Sequence, residues 1–416
     1  MPSNNHRRAL GWRMFGSVAA ALLLSAATAV AQGAPEPVLV GVNIPRTGPL
    51  ALMGALLEPS VRLAVDQINT AGGIKSLGGA PLELRWADNQ ASPSLSGSEE
   101  QRLIQQEHVV TVIGGGVSGA ELTATQMAER LKVPHLISIA TADELSERGF
   151  RYTFILSARA VDYARGYVNL LNYLKANRNI AVKRVVVLNE NSALGSSVAK
   201  DLLPMAKDAG YEIAEQVEYP ASTSDVSSLL TRIRSAKPDV VLHIGYIGDS
   251  ILIWNTRRQL GMEDVPFIGI TSGIGSPAFM KAVGAAANGA LTLSQTNADL
   301  TADAVQNFVR SYQAKYNVPP ENNGFFSYQS AYVVKAALEK AGSRDPEAIR
   351  QAFSTLQMRD NVVLPQETIR FNEAGVNVDT PVLLLQVRNG QLVTVWPDNV
   401  ATTAPDFSQF DKLRSR

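Results

Sequence analysis

The chain of 416 residues contains no cysteine. Disulfides, thiolate chemistry and a lipid anchor on a cysteine are therefore excluded. Histidine is scarce: His6, His108, His135 and His243 are scattered, with no spacing that would present two of them as metal ligands. They read as isolated surface or strand-end side chains, so no metal site is expected. Net charge is missing as well. Lys plus Arg and Asp plus Glu number 38 each, so no field draws the protein to nucleic acid or acidic lipid. Beyond the N-terminal segment no run is long and charge-free enough to span a bilayer. No Ser–His–Asp or paired-carboxylate arrangement can be assembled. The chain reads as a protein that is not an enzyme, with no catalytic residue and no cofactor.

What is present begins with an export signal. His6, Arg7, Arg8 and Arg13 give a basic start, Met14 to Ala27 an apolar core, and Ala29-Val30-Ala31 a small-residue cleavage site before Gln32. A signal peptide over 1–31 is expected. The residues after Arg7-Arg8 fit a twin-arginine signal poorly. The processed chain is long enough for two domains of about 150 residues each. With 45% hydrophobic and 18% charged residues, it describes a well-packed globular protein.

The most informative stretch follows the signal. Val38 to Ile44 is a short β-branched run, the mark of a strand buried on both faces. Pro45, Gly48 and Pro49 break it into a loop. Val61, Leu63, Ala64, Val65 and Ile68 then recur at helical spacing, and Gly72-Gly73 ends that helix. Thr47-Gly48-Pro49-Leu50-Ala51-Leu52-Met53-Gly54 and Ala64-Val65-Asp66-Gln67-Ile68-Asn69-Thr70-Ala71-Gly72-Gly73 are two linked motifs at fixed spacing. Together they resemble the opening of the periplasmic solute-binding receptors of the leucine/isoleucine/valine type.

Strand and helix patterns continue to alternate. Strands are expected at Leu82–Trp86, Val109–Ile113, Pro134–Ile139, Arg184–Leu188, Glu212–Tyr219, Val240–Ile244 and Pro266–Ile270, with helices between them. This implies parallel sheets with right-handed crossovers. After Gly289 three helical patterns follow one another, over Ala302–Tyr316, Phe325–Ala341 and Asp345–Leu356. Short strands come last, closing in a hairpin around Asn389-Gly390. The resemblance implies an α/β fold of two Rossmann-like lobes with parallel sheets, joined by a hinge of three crossings. Lobe one would comprise 38–157 with 292–380, and lobe two 158–291 with 381–400. Residues 401–416 read as a loosely held tail.

The strand Val109–Ile113 runs into Gly114-Gly115-Gly116-Val117-Ser118-Gly119, which contains a literal G-x-G-x-x-G. A dinucleotide site is the obvious reading. Against it, the fingerprint belongs on the first strand of its unit, this is the third, and an exported protein has little access to nicotinamide cofactor. Glycines and a helix N-terminus equally suit a bound carboxylate, with Ser118 adding a hydroxyl donor or serving as the helix cap. The loop backbone at Gly116 and Val117 is placed against the ligand on the same grounds, and the resemblance assigns the carboxylate contact to Ser118. It assigns the threonine of an A/S-A-T-x-x-x-L pattern to Thr141, with Ala140 beside it. From the second lobe it implies Tyr246, in His243-Ile244-Gly245-Tyr246-Ile247-Gly248-Asp249, and near the cleft mouth a second aromatic, Tyr328.

Three positions depart from the family. Where branched-chain amino-acid receptors carry an acid that pairs the ligand ammonium, this chain reads Thr271-Ser272-Gly273. Two tyrosine positions carry Met53 and Leu194. Burying an ammonium without a counter-charge is costly. Either Asp162, Asp249 or Glu121 takes that place, or the ligand has no amine. The expectation is a monomeric periplasmic receptor that captures a small carboxylate or an amino acid for inner-membrane ABC permease subunits. A ligand-sensing receptor for another membrane partner is the alternative.

Overall fold

The structure, a computed structural model, describes residues 35–221 and 223–414. The expected signal peptide and its cleavage site lie outside the described residues.

The first unit runs β1 (Val38–Ile44), α1 (Ala51–Thr70), β2 (Leu82–Asp88), α2 (Pro93–Gln105), β3 (Thr111–Gly114), α3 (Ser118–Leu131), β4 (His135–Ile137), α4 (Glu144–Glu147) and β5 (Thr153–Ile155). The five strands form one parallel sheet in the order β2-β1-β3-β4-β5. Covered by helices, β1 is buried along nearly its whole length, which explains its unbroken apolar run. The loop after it is tied down by Asp88, whose carboxylate accepts from the Thr47 amide at 3.1 Å and from the Thr47 hydroxyl at 2.5 Å.

The second unit runs α5 (Ala160–Arg178), β6 (Arg184–Glu190), α6 (Ala193–Asp208), β7 (Glu212–Tyr219), α7 (Ser227–Ser235), β8 (Val240–Ile244), α8 (Ile247–Gln259), β9 (Phe267–Ile270), α9 (Pro277–Val283) and β10 (Leu291–Ser294). There follow α10 (Asp303–Tyr316), α11 (Asn322–Ala341) and α12 (Pro346–Ser354). A two-stranded ribbon comes next, β11 (Gln357–Met358) with β12 (Ile369–Arg370), then the hairpin β13 (Leu383–Arg388) and β14 (Gln391–Trp396). The second sheet has seven strands in the order β14-β13-β10-β9-β8-β6-β7. The hairpin pair β13–β14 and the pair β10–β13 are antiparallel, and the other four pairs are parallel.

The consecutive helices leave the second sheet and pack on the first unit, α11 lying along α1. The chain thus crosses between the units three times, after β5, after β10 and before β13. The crossings are bonded side by side: the Asn377 side chain donates to the Leu156 carbonyl at 2.7 Å, and Gln295 accepts from the Ala158 amide while donating to the Tyr163 hydroxyl at 2.9 Å.

Two expectations are corrected. The C-terminal segment is anchored, not loose. A 3-10 turn over Ser408–Leu413 buries Phe410 and Leu413, Phe407 beside it is buried too, and the Asp406 carbonyl accepts from Gln386 of β13 at 2.7 Å. Aromatic and leucine spacing in a short polar tail was the signal that it docks. The histidines at 135 and 243 do stand near strand ends, but they are not isolated: both are buried with partners.

Candidate ligand-binding cleft

In an open α/β sheet the strand order reverses at one point, and the loops at the carboxyl ends there diverge to leave a crevice. In the first sheet that point lies between β1 and β3, in the second between β6 and β8. The residues singled out from the sequence sit at these two edges, with one exception.

On the first edge Val117 caps α3 and Ser118 is its first helical residue, so Ser118 is not the N-cap. Its side chain reaches sideways: the amides of Thr141 and Ala142 approach the Ser118 Oγ at 3.4 and 3.3 Å. These contacts use the acceptor side of the hydroxyl and leave its hydrogen free to donate. The Thr141 Oγ1 is buried and has no hydrogen-bond partner among the described residues. Nor do the amides of Gly116, Val117 and Ser118. Ala140 is buried beside them, its carbonyl accepting from Ser157.

The glycines do more than approach a ligand. Any side chain at Gly114 would collide with His135 Nε2 and Glu121 Oε2, and one at Gly116 would meet Ile139 and come within 2.9 Å of the Met53 sulfur. The Gly115 amide is already taken, donating to Glu121 at 2.8 Å. Beneath the loop lies a buried relay. His135 bonds Glu121 at 2.7 Å and Glu100 at 2.8 Å, and Glu100 accepts from Asn43 of β1 at 3.0 Å. Bonding two carboxylates makes both ring nitrogens donors, so His135 is an imidazolium. Burial opposes that charge, but Glu100 and Glu121 outweigh it and raise the pKa to about 10. Sequence reasoning missed this relay; a histidine inside an apolar strand was the signal that it had partners.

On the second edge Glu190 ends β6. Its carboxylate accepts from the Ser192 amide at 2.5 Å and the Gly195 amide at 2.6 Å. Leu194, in the first turn of α6, is buried. Tyr246 caps α8 and is buried, its hydroxyl beside the Ser192 side chain. Thr271 follows β9, and Ser272 donates to the Gly245 carbonyl at 2.9 Å. Beneath this turn Tyr219 bonds His243 at 3.0 Å and donates to Asp249. Burial pushes Asp249 up to about 7 and His243 down to about 3.

The edges meet. The Asp143 amide donates to Ser197 of α6 at 3.0 Å, and Ala193 packs on the cluster that holds Ala140 and Ala142. Leu56 of α1 packs against the cluster containing Ile247 of α8. A groove of about 360 Å³ opens at this junction between Ala142, Glu144, Ala193 and Ser197.

Tyr328 is the exception. Its ring lies 4.3 Å from Phe308 and its hydroxyl donates to Gln67 of α1 at 2.5 Å. It borders a separate hollow with Asp360, among α1, α10 and α11. An aromatic on a helix packed into the core explains it. Of the three acids considered as ammonium partners, Glu121 is held by His135, and Asp162 pairs with Arg165 and caps the start of α5. Asp249 keeps one oxygen, Oδ1, buried and unbonded among the described residues.

Two α/β units presenting the carboxyl ends of their strands to one another define a two-lobed ligand-binding protein. The chain belongs to the periplasmic binding protein family, whose sequence profile matches residues 37–391. Leu/Ile/Val-binding protein homolog 7 of Brucella abortus is 30% identical over 390 residues, 92% of this chain and 96% of the relative. The branched-chain amino acid transporter substrate binding protein LivJ of Streptococcus pneumoniae, solved with isoleucine, is 25% identical with a TM-score of 0.75, covering 86% of this chain and 100% of that one. An ABC transporter solute-binding protein of R. palustris, solved with benzoate, shares the fold at 20% identity and a TM-score of 0.77, over 89% and 98% of the two chains. These are solute-binding proteins, not dehydrogenases. No helix among the described residues is long and apolar enough to cross a membrane.

Proposed function

We propose that the protein is the periplasmic substrate-binding component of an ABC uptake transporter, capturing a small carboxylate between its lobes for membrane permease subunits. The observation that carries this is the first edge, where unbonded amides at Gly116–Ser118, a free Ser118 hydrogen and a buried, unbonded Thr141 hydroxyl lie on neighbouring loops. Such donors hold a carboxylate without arginine. Lobe one is assigned to 38–157 with 292–380, and lobe two to 158–291 with 381–400. The docked segment after residue 400 goes with lobe two through Gln386.

An amine-free carboxylate with an apolar or aromatic body is preferred over a branched-chain amino acid. The supporting facts are Thr271 and Ser272 in place of an acid, the apolar Met53 and Leu194 walls, and the engagement of Glu121 and Asp162. The unbonded Asp249 oxygen favours a second reading, in which an amino acid is bound through its ammonium. Thermal-shift screening separates them, since ligand at 100 times its dissociation constant adds about 2.7 kcal/mol. Benzoate should raise the midpoint; a shift by leucine, isoleucine or valine alone would reverse the preference.

A further inference from the structure

A hollow of about 440 Å³ lies on the second unit, away from the cleft. It is bounded by the end of α8, the turns before β9 and β10, and the docked C-terminal segment. It therefore faces the amino ends of β9 and β10, whereas the cleft lies at the carboxyl ends. Its size suits a small molecule. A buried cation stands in its wall. Arg257 is only 6% exposed, and its guanidinium lies 4.8 and 4.7 Å from the centroids of the Trp254 and Phe267 rings. The Arg257 Nε donates to the Met262 carbonyl at 3.0 Å, and Nη2 donates to the carbonyls of Glu263 and Val265, both at 2.8 Å. Three carbonyls and two rings fix the group, but none is a counter-charge. Burial draws its pKa down to about 10. Its Nη1 has no acceptor among the described residues.

Arg258, Glu263 and Asp406 also line the hollow, all three exposed. Two arginines and two acids thus share one space, yet among the described residues none of the four forms an ion pair. Asp406 accepts from the Ser408 amide of its own turn at 3.0 Å. A buried charge without a partner is costly. Opposite charges that share a hollow without meeting suit a molecule that carries both signs.

We propose that this hollow is a second ligand site, separate from the cleft, that takes a free zwitterionic α-amino acid. The carboxylate sits on Arg257 and Arg258, whose planar forks match its geometry, and the ammonium faces Glu263 and Asp406. Trp254 and Ala290 offer an apolar wall to the side chain. A dianion would meet the two acids unpaired, and a simple amine would leave the buried arginine as it was. The site does not depend on what the cleft binds.

The test is nuclear magnetic resonance of the Trp254 indole N–H, assigned through Trp254→Phe, in the processed chain stripped of carried-over ligand by unfolding and refolding. Each common L-amino acid is titrated alone to millimolar concentration. At least one should shift that resonance saturably, in wild type and in Ser118→Ala alike. Its deaminated and decarboxylated analogues should bind at least about tenfold more weakly, since each gives up one charged contact. Arg258→Ala, and Glu263→Gln combined with Asp406→Asn, should cause losses of similar size with the thermal midpoint unchanged, because these side chains are exposed. No shift with any amino acid would overturn the site. So would a shift that Arg258→Ala leaves intact, or one that Ser118→Ala abolishes.

Discussion

Ser118 is the residue on which the proposed anion site turns. It joins the loop after β3 to the loop after β4 through two long amide contacts, and it keeps a hydrogen to give away. Ser118→Ala removes both functions. Carboxylate affinity should fall by roughly 1.5–3 kcal/mol, the worth of a hydrogen bond to a charged group. Calorimetry with benzoate reads the loss, and unchanged affinity would remove Ser118 from the site. His135 acts one layer deeper. It is fully buried between Glu100 and Glu121, and Glu121 fixes the Gly115 amide. His135→Gln breaks a buried charged relay, which costs about 3–5 kcal/mol; urea denaturation should show it as a lower midpoint. The sign of the pH dependence follows from the raised pKa, about 10 against an ordinary 6.5. The contribution is complete below pH 6.5 and is lost as pH rises through 10. Wild-type stability should therefore decline over that window while the glutamine variant changes less. A flat wild-type curve would argue that His135 is neutral.

Elements show what could be read from the chain and what could not. β1, β6, β8 and β13 were legible because buried strands write themselves as apolar runs, whereas β7 is only part-buried and was legible through its alternation at Val217 and Tyr219. β5 and β10 were not: at three and four residues their apolar runs are too short to separate from helix or loop. Ser118 and Thr141, proposed for the first edge, stood out in the sequence because they lie in linked motifs. Ser192 and Asp143 did not, since single polar residues in loops carry no period. Tyr328 was misplaced because a helical aromatic writes the same signal whether it faces a ligand or a core. The C-terminal segment makes the same point in reverse. Phe410→Ala should lower stability by about 3–5 kcal/mol as a fully buried aromatic is removed, whereas a loose tail would tolerate it without change.

One contact between elements responds to protons. Asp143, in the loop between β4 and α4, meets Ser197 on α6, and the Asp201 carboxyl faces it. Burial and then Asp201 raise its pKa to about 7, and the Arg159 guanidinium, 3.9 Å away, only partly offsets them. A raised carboxyl is most favourable while protonated. The contact should hold best below about pH 4 and weaken as pH rises through 7. Benzoate affinity should drop across that range, and Asp201→Asn should flatten the drop. An identical pH profile in wild type and variant would exclude this contact from closure.

At the scale of the whole molecule, three chain crossings bonded side by side leave the units free to move mainly about one line. Periplasmic binding proteins are a recognised case of such hinge closure. On the proposed function, ligand favours the closed form because only there do the donors of one edge and the wall of the other reach the same molecule. Contacts such as Asp143 with Ser197 exist only when the edges meet, so they belong to that form. The central claim is therefore that a carboxylate bridges the two edges and draws them together. Small-angle scattering of the stripped chain, with and without saturating benzoate, tests it most directly. A smaller radius of gyration with ligand, lost at the same concentration in Ser118→Ala, is the expected result; superimposable curves at a concentration where calorimetry shows full binding would contradict it.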